Sequence, residues 1–404
     1  MSSTADLLTE AAGLQGDLIA FRRAMHADPE IGLDLPRTQQ RVLAALDGLP
    51  LEITAGGSGL TSVVAVLRGG RSTGRSVLLR ADMDGLPVTE ETGLDFASTT
   101  DAMHACGHDL HTAMLIGAAR LLSAHRDDLP GDVVLMFQPG EEGFDGAGHM
   151  IRAGVLDAAG ARPEAAFFMH VASSTIPSGV VALRPGPMMS AADVLHVTVL
   201  GSGGHASTPH HAQDPVAVAA EIVTALQTLV TRQFDVFDPV VITVGRLHAG
   251  TQHNIIPDRA EIEATVRTFS AANQQAVTER AVRLCRGIAE AHGLHADVRY
   301  ETMYPVTTND AGMADFFGAT AAALFGEPAA MIMPNPHTGS EDFSRVLDEI
   351  PGAMAFLGAT PPGGDPNTAP FNHSPHAIFD EAVLAPGAAL YARLVMDRLA
   401  LDPR

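Results

Sequence analysis

The sequence predicts an α/β protein: a layered domain with a mixed sheet, plus an inserted ferredoxin-like α+β domain. Two observations predict this fold class. Short apolar runs alternate with helical patterns toward both ends of the chain, whereas a different order of elements occupies its middle. A length of 404 residues with 46% hydrophobic content is sufficient for two packed domains.

Short and nearly continuous apolar runs predict four strands in the first part of the chain. Such runs are typical of strands that helices cover on both faces. One of these covering helices is predicted by the apolar pattern at 110–122. The predicted strands are 61–67, 77–80, 133–137 and 165–169.

The middle of the chain has the order β-α-β-β-α-β, in which helices cover one face of a sheet. Apolar and polar residues alternate in its first strand, at 195–199. Asp214 and Pro215 suit the N-cap and first turn of its first helix. The remaining predicted elements are strands at 240–246, 261–269 and 296–303 and a helix at 274–292. Prolines at 184–187 and 304–305 predict hinges on either side.

The composition excludes several classes of function. A net charge of −22 repels phosphate backbones and anionic lipids, so we expect no nucleic-acid or membrane partner. None of the 25 basic residues is lysine, which excludes lysine Schiff bases, lysine-anchored pyridoxal phosphate and Walker-type phosphate loops. Because no apolar run reaches roughly 18 residues and the N-terminus lacks signal-peptide features, we expect a cytoplasmic location.

The two cysteines have different surroundings. Cys285 lies in an apolar helical pattern and is predicted to be a small core residue. Cys106 lies in the segment 104–111, where a thiol, three imidazoles and a carboxylate precede or begin a helix. Thiolate and imidazole are ligands of zinc and similar metals. A nucleophilic cysteine activated by histidine and a purely structural role are the alternatives.

Carboxylates follow two of the predicted strands, where α/β proteins build their sites. Asp82 and Asp84 could bind a metal or orient a ligand, or could belong to an ordinary turn rich in Asp and Gly. Of the adjacent Glu141 and Glu142, one could bind a metal while the other accepts a proton from activated water. A solvated acidic turn is the alternative for this pair.

Two more histidines lie at suitable places. His170 closes a predicted strand, and His373 begins a second histidine turn far along the chain. A single such histidine is usually satisfied by hydrogen bonds, so these two gain significance only from the other candidate ligands.

The order and spacing of these motifs resemble the M20 metallopeptidase family. The resemblance is to its amidohydrolase branch, which contains hippurate hydrolases, N-acyl amino acid deacylases and auxin-conjugate (IAA-amino acid) hydrolases, and it extends over nearly the whole chain. The matching stretches are 80–87, 104–111, 141–142, 203–209, 254–257, 339–343 and 373–375.

The resemblance implies two divalent metal ions per subunit, of manganese, zinc, cobalt or nickel, with Glu141 as the general base. Asp82 and Asp84 are expected to orient the metal ligands. It also implies that 188–303 form a lid and dimerisation domain between the segments 1–187 and 304–404 of a catalytic domain. A homo-oligomer, dimer or tetramer, is expected. The implied metal ligands are Cys106, His108, Glu142, His170 and His373.

The resemblance further implies that His205 and Asn254 reach the site from the lid, within the chain or across a dimer interface, to hold the oxyanion. Ordinary loop and turn roles are their alternatives. Arg267 could bind a substrate carboxylate, or pair with Glu263 on the same strand face. Gly339 could let substrate approach the backbone, or be a common turn glycine.

The implied activity is hydrolysis of the amide bond of small N-acyl amino acids, such as N-acetyl or N-benzoyl derivatives, to a carboxylic acid and a free amino acid. A dipeptidase, a carboxypeptidase or an N-acetyl-diaminopimelate deacetylase is the alternative on the same scaffold. Outside this class stand a metal-independent cysteine hydrolase that uses Cys106 and a non-catalytic binding protein. The segment 171–175 lacks the aromatic or asparagine residue common in these hydrolases, which leaves the acyl group open.

Overall fold

The structure is a computed structural model that describes residues 4–327 and 329–401. The chain forms two compact units. The first unit comprises the part up to Met188, Thr308–Asn335 and the part from Arg345 onward, and the second comprises Met189–Thr307 and Pro336–Ser344. The domain boundaries expected from the sequence stay a prediction.

The helices and strands carry the numbering used below. The α-helices of the described residues are α1 (Thr4–His26), α2 (Pro36–Leu46), α3 (His108–Ala124), α4 (Gly146–Arg152), α5 (Pro215–Gln233), α6 (Ala271–Ala291), α7 (Ala311–Phe325), α8 (Ser344–Leu347) and α9 (Leu384–Ala400). The strands are β1 (Leu51–Ala55), β2 (Val63–Leu67), β3 (Ser76–Asp82), β4 (Asp132–Gln138), β5 (Ala165–Ala172), β6 (Val181–Leu183), β7 (Gly186–Met189), β8 (Ala192–Leu200), β9 (Gly204–His205), β10 (Val240–Ala249), β11 (Ile255–Ile256), β12 (Arg259–Thr268), β13 (His295–Tyr304), β14 (Thr307–Asn309), β15 (Ala330–Ile332) and β16 (Gly352–Gly358). None of the helices in the described residues is both long enough and apolar enough to cross a membrane.

The first unit is built on a sheet with the strand order β1-β2-β4-β3-β5-β16-β6-β15. Its central strands β4, β3, β5 and β16 run parallel to one another, whereas β1, β2 and β6 pair antiparallel with their neighbours β2, β4 and β16. The four central strands are buried along their whole length, as their nearly continuous apolar runs predict. Helices α1, α3 and α9 pack together beside this sheet. The predicted mixed sheet is confirmed.

One predicted strand boundary is wrong in a way that affects the site. The sequence predicts that the fourth strand ends at residue 169, with His170 just beyond it. Instead β5 continues to Ala172, because β16 pairs with it in parallel as far as Gly358 and Ala172. His170 therefore lies inside a strand whose backbone is held on the β16 side.

The second unit has the predicted β-α-β-β-α-β order as β8-α5-β10-β12-α6-β13. Its sheet has the strand order β10-β12-β8-β13 with all neighbours antiparallel, which is the ferredoxin-like arrangement that the sequence predicts. Asp214 caps α5 by accepting a hydrogen bond from the Val216 N–H at 2.9 Å. Cys285 is fully buried in the apolar core between α5, α6 and the sheet, as predicted.

Candidate metal centre

The motifs of the first unit meet at the carboxyl ends of its parallel strands. Asp82 ends β3, Glu141 and Glu142 follow β4, and His170 lies near the end of β5. The Cys106-Gly107-His108 segment follows β3 along the chain and begins α3. In the sheet, β3 lies between β4, the next strand along the chain, and β5. Such a point, where the strand order reverses, is where α/β proteins bind ligands.

The five predicted metal ligands converge on one another. The Cys106 Sγ lies 3.4 Å from His170 Nε2 and 3.2 Å from His373 Nε2. The Glu142 Oε1 lies 3.2 Å from His373 Nε2 and 3.9 Å from His108 Nε2. These ligands form two sets of three, and the ligand atoms of each set lie within 4.8 Å of one another. Cys106 belongs to both sets. The sets are Cys106 with His108 and His170, and Cys106 with Glu142 and His373.

Two of the histidines are oriented as metal ligands usually are. The Nδ1 of His108 lies 2.9 Å from the Asp84 carbonyl oxygen, and the Nδ1 of His170 lies 2.8 Å from the Val171 carbonyl oxygen. Because a carbonyl can only accept, both Nδ1 atoms carry a proton, and both Nε2 atoms face the cluster. The buried His108 Nε2 has no hydrogen-bond partner among the described residues, which fits a position that a metal would complete.

The electrostatics of the cluster favour a cation. Hydrogen bonds to Cys106 and Glu142 raise the pKa of His373 to about 10 against the opposing effect of burial. Burial would raise the pKa of Glu142, but His373 and His108 lower it overall. The raised pKa of His373 reflects the acceptors beside it, and the lowered pKa of Glu142 keeps its carboxylate ionised and so available to a cation. Its thiolate, imidazole and carboxylate donors fit zinc and its neighbours in the first transition series.

Local backbone geometry explains how two of the ligands reach the cluster. Gly107 has φ +83°, and a Cβ there would lie 2.3 Å from the Val171 Cγ2, so only glycine fits between Cys106 and His108. His373 has φ +72°, which is unusual for a residue with a side chain. Its N–H donates to the Ala105 carbonyl at 2.9 Å, so the turn is held against the Cys106 segment.

Asp84 orients both acidic residues of the site. Its Oδ1 accepts from the Glu141 N–H at 3.0 Å, and its Oδ2 accepts from the Glu142 N–H at 3.1 Å. A carboxylate oxygen of Glu141 lies within 4.8 Å of the ligand atoms of His108 and Glu142. The buried Glu141 carboxylate is therefore close to two candidate ligands, and its role as the general base stays a prediction.

Asp82 is fully buried and bonded on both oxygens. Its Oδ2 accepts from the Arg80 Nη1 at 2.7 Å, and its Oδ1 lies 2.6 Å from the His111 Nδ1. Burial alone would raise the pKa of Asp82, but Arg80, His108 and His111 lower it well below its usual range. The Oδ2 also lies 3.5 Å from the His108 Nε2, so the Asp82 carboxylate is close to the ligand atom of this candidate ligand.

In the second unit, His205 and Asn254 are neighbours. The short strands β9 and β11 pair through His205 and Ile255, and the Ala206 N–H donates to the Asn254 carbonyl at 3.1 Å. The His205 Nδ1 accepts from the Ser207 N–H at 3.1 Å and lies 2.8 Å from the Ser207 hydroxyl. Since a backbone N–H can only donate, the proton of this exposed imidazole is on Nε2. His205 therefore presents an N–H donor.

Of the two interpretations for Arg267, pairing with Glu263 is wrong. The Glu263 carboxylate is bonded by the Arg246 Nη1 at 2.7 Å, and the Arg267 Nη1 donates to the Thr265 Oγ1 at 2.6 Å and to the Val266 carbonyl at 3.0 Å. Arg267 keeps further donors of its guanidinium, so a carboxylate-binding role stays a prediction.

Gly339 lies in the Pro336–Ser344 segment of the second unit. A Cβ on this residue would lie 2.9 Å from the His337 Nδ1, which also accepts from the Gly339 N–H at 3.0 Å. A side chain at this position would therefore displace His337, which is a reason for glycine here that does not involve substrate.

Sequence reasoning did not single out Asn372 and Tyr391. The Asn372 Nδ2 donates to the Val171 carbonyl at 3.0 Å and to the Cys106 carbonyl at 3.3 Å, which connects the His373 turn to two other ligand segments. Its position directly before His373 could have indicated that it belongs to the site. Tyr391 is fully buried in α9. A tyrosine in an otherwise apolar helix could have indicated a buried hydrogen bond, because its hydroxyl needs a partner.

Comparisons with known proteins identify the family to which the chain is similar. Residues 78–397 match Peptidase family M20/M25/M40. The chain is 37% identical over 383 residues to thermostable carboxypeptidase 2 of Saccharolobus solfataricus, covering 94% of each protein. It is 41% identical over 300 residues to an N-acyl-L-amino acid amidohydrolase of Geobacillus stearothermophilus, covering 73% of this chain and 79% of that protein.

A solved structure supports the same relationship. A dinuclear metal-binding peptidase of the M20 family from Bacillus subtilis is similar with a TM-score of 0.81 and 32% sequence identity, covering 96% of this chain and 99% of that one. The family match extends from β3 to α9 and so includes every candidate ligand. As its motifs predict, the chain belongs to Peptidase family M20/M25/M40.

Proposed function

We propose that this protein hydrolyses the amide bond of N-acyl amino acids and releases a carboxylic acid and a free amino acid. The observation that carries the proposal is the convergence of Cys106, His108, Glu142, His170 and His373, with Glu141 held beside them by Asp84. The similarity to the N-acyl-L-amino acid amidohydrolase of Geobacillus stearothermophilus supports the substrate class.

The proposed chemistry divides between a metal pair and the residues of this chain. Two divalent cations, either manganese, zinc, cobalt or nickel, would supply Lewis-acid activation of water and of the scissile carbonyl. Glu141 takes the proton of the attacking water and later returns it to the leaving amine. Asp84 holds the backbone of Glu141 through its N–H, so the main chain that carries the base is in place before substrate binds.

His205 is proposed to stabilise the negative charge that develops on the carbonyl oxygen. The support is its tautomer, since Ser207 occupies Nδ1 and leaves the Nε2–H as a donor. Asn254, adjacent to His205 across the β9 and β11 pair, is the second proposed donor. Arg267 is proposed to bind the substrate carboxylate. The homo-oligomer and the cytoplasmic location stay predictions of the sequence.

A peptide substrate is the second candidate. The similarity to thermostable carboxypeptidase 2 of Saccharolobus solfataricus favours it, because a peptide and an N-acyl amino acid share an amide bond next to a terminal carboxylate. The two candidates differ in the group on the acyl side, which bears an amine in an unprotected dipeptide and none in an N-acetyl or N-benzoyl amino acid.

The test is hydrolysis of N-acetyl amino acids, N-benzoyl amino acids and dipeptides, combined with metal analysis. We expect about two metal ions per chain, loss of hydrolysis with a chelator and recovery with added metal. N-acyl amino acids should be cleaved faster than dipeptides, and the opposite order would favour the peptidase. Hydrolysis that survives chelation but stops with a thiol reagent would overturn the proposal in favour of a cysteine hydrolase that uses Cys106.

A further inference from the structure

Strands β3 and β5 are paired along only part of their length. Their parallel register includes Val77 with Ala165, Leu78 with Ala166 and Leu79 with Phe167, and then it stops. On their other sides, β3 stays paired with β4 as far as Asp82, and β5 stays paired with β16 as far as Ala172. The sheet therefore opens at one junction, at the end that carries Asp82 and His170.

A tyrosine hydroxyl bridges the beginning of this opening. Tyr391, from α9, donates to the Arg80 carbonyl at 3.0 Å and accepts from the Met169 N–H at 2.8 Å. Arg80 belongs to β3 and Met169 to β5, so one hydroxyl bonds a backbone group of each strand. The hydroxyl takes the place of a direct bond between the strands and keeps two buried backbone groups satisfied.

His111, in the first turn of α3, bridges the rest of the opening, and the adjacent Thr112 bonds the β3 side. The His111 Nε2 accepts from the Val171 N–H of β5 at 2.8 Å, and its Nδ1 lies 2.6 Å from the Asp82 Oδ1 at the end of β3. Because the Val171 N–H can only donate, the His111 proton is on Nδ1 and is donated to Asp82. The Thr112 hydroxyl donates to the Asp82 carbonyl at 2.8 Å.

We propose that Tyr391 and His111 are positioning residues that hold β3 and β5 apart and thereby fix the geometry of the metal centre. The inference rests on the proposed function, because it concerns the same ligands. Val171 is central to it: its N–H is held by His111, and its carbonyl accepts from the Nδ1 of the candidate ligand His170. Through this one residue His111 fixes the orientation of the His170 ring.

The proposal also decides between two roles for His111. The ligand atoms of Asp82, His108 and His111 lie within 4.8 Å of one another, so this trio could itself hold a metal ion. However, the His111 Nδ1 is bonded to Asp82 and its Nε2 to the Val171 N–H. An imidazole with both nitrogens bonded in this way has no lone pair for a metal, so His111 acts through its neighbours.

The first experiment compares His111→Gln with His111→Leu. The Gln side chain offers an acceptor for the Val171 N–H and a donor for Asp82, whereas Leu offers neither. Affinity for cobalt(II), from competition with a chromophoric chelator, and the visible spectrum of the cobalt protein are measured without substrate. We expect His111→Gln to keep the wild-type spectrum and an affinity within about threefold, and His111→Leu to lose about 10- to 100-fold in affinity.

The second experiment compares two tyrosines that each donate a hydrogen bond through the hydroxyl. Tyr391→Phe should lower cobalt affinity by about 10-fold and change the visible spectrum. Tyr300→Phe is the matched control, because the Tyr300 hydroxyl donates to Asp193 at 2.9 Å within the second unit. It should leave cobalt affinity and spectrum unchanged. If His111→Leu does not fold, this comparison alone tests whether the bridges between β3 and β5 shape the metal centre.

Three outcomes would overturn the proposal. Equal loss of metal from His111→Gln and His111→Leu would make His111 a ligand. Wild-type affinity and spectrum in both His111→Leu and Tyr391→Phe would show that the bridges do not shape the site. A wild-type protein that binds no metal would remove the metal centre itself, which is a failure of the proposed function and is seen before any variant is made.

Discussion

Replacing Gly117 by alanine tests how closely α3 and α9 must approach. A Cβ at Gly117 would lie 2.6 Å from the Ala388 Cβ of α9 and 3.0 Å from the Leu18 Cδ1 of α1. Carbon atoms in contact normally stand about 3.5 to 4.0 Å apart, so α9 would have to retreat by about 1 Å. The Ala388 Cβ cannot rotate away, because it is fixed to the helix backbone.

Two opposing terms set the size of the effect. Alanine in a helix interior is favoured over glycine by about 1 kcal/mol. Overpacking of a buried contact costs about 1 to 3 kcal/mol. We therefore expect Gly117→Ala to change the free energy of unfolding by between about 0 and −2 kcal/mol. Gly13→Ala, in the interior of α1 with no atom within 4 Å of the added Cβ, should gain about 1 kcal/mol.

The measurement is urea unfolding followed by circular dichroism, since the chain has no tryptophan. The difference between Gly13→Ala and Gly117→Ala removes the propensity term and leaves the overpacking term, about 1 to 3 kcal/mol. Because α3 begins with the candidate ligand His108, Gly117→Ala should also weaken metal binding. Equal stabilisation by both substitutions would refute the reasoning, because the close approach would then not constrain the helices.

Three further predictions concern single residues. Glu141→Gln should lower kcat by about 10²- to 10⁴-fold with unchanged metal content, whereas Glu142→Gln should lose metal; metal loss from Glu141→Gln would contradict the base assignment. Burial raises the pKa of Cys285 to about 12, so at pH 8 it should react with iodoacetamide only after unfolding. Burial would raise the pKa of Asp28, but hydrogen bonds from Arg37 and Arg41 lower it overall. Its stabilising effect, under about 1 kcal/mol, should be present above the unfolded pKa and vanish as pH falls through the folded one, so Asp28→Asn and wild type should converge in acid.

Elements with a regular local pattern were predictable from the sequence. The fully apolar runs of β3 and β4 and the alternation in β8 depend on which faces are buried, and that information is local. The N-cap of α5 is equally local, because Asp214 bonds a backbone N–H two residues away. The candidate ligands were recognisable for a different reason: the density of thiol, imidazole and carboxylate groups at 104–111 indicates a metal, and the resemblance to the M20 family implies the full set.

What the sequence could not supply are interactions between distant segments. The end of β5 is set by β16, and a strand boundary set by a partner nearly two hundred residues later leaves no mark in the local pattern. The role of Asn372 was unpredictable for the same reason, because its amide bonds Val171 and Cys106 across separations of 201 and 266 residues. The residues around His170 were therefore predicted as a strand end when they form a strand interior.

The opening between β3 and β5 shows why this difference matters for the site. If β3 and β5 stayed paired as far as Asp82 and His170, the Val171 N–H would bond directly to the neighbouring strand β3. Instead that N–H reaches His111, whose other nitrogen reaches Asp82, and Tyr391 bridges the strands one step earlier. At this junction, side chains from α3 and α9 bond the backbone groups that direct bonds between the strands would otherwise satisfy. Since His111 lies only three residues after His108, the same helix that supplies a candidate ligand also holds the strands apart. The geometry of the centre should therefore depend on how α3 and α9 pack as much as on the ligands themselves.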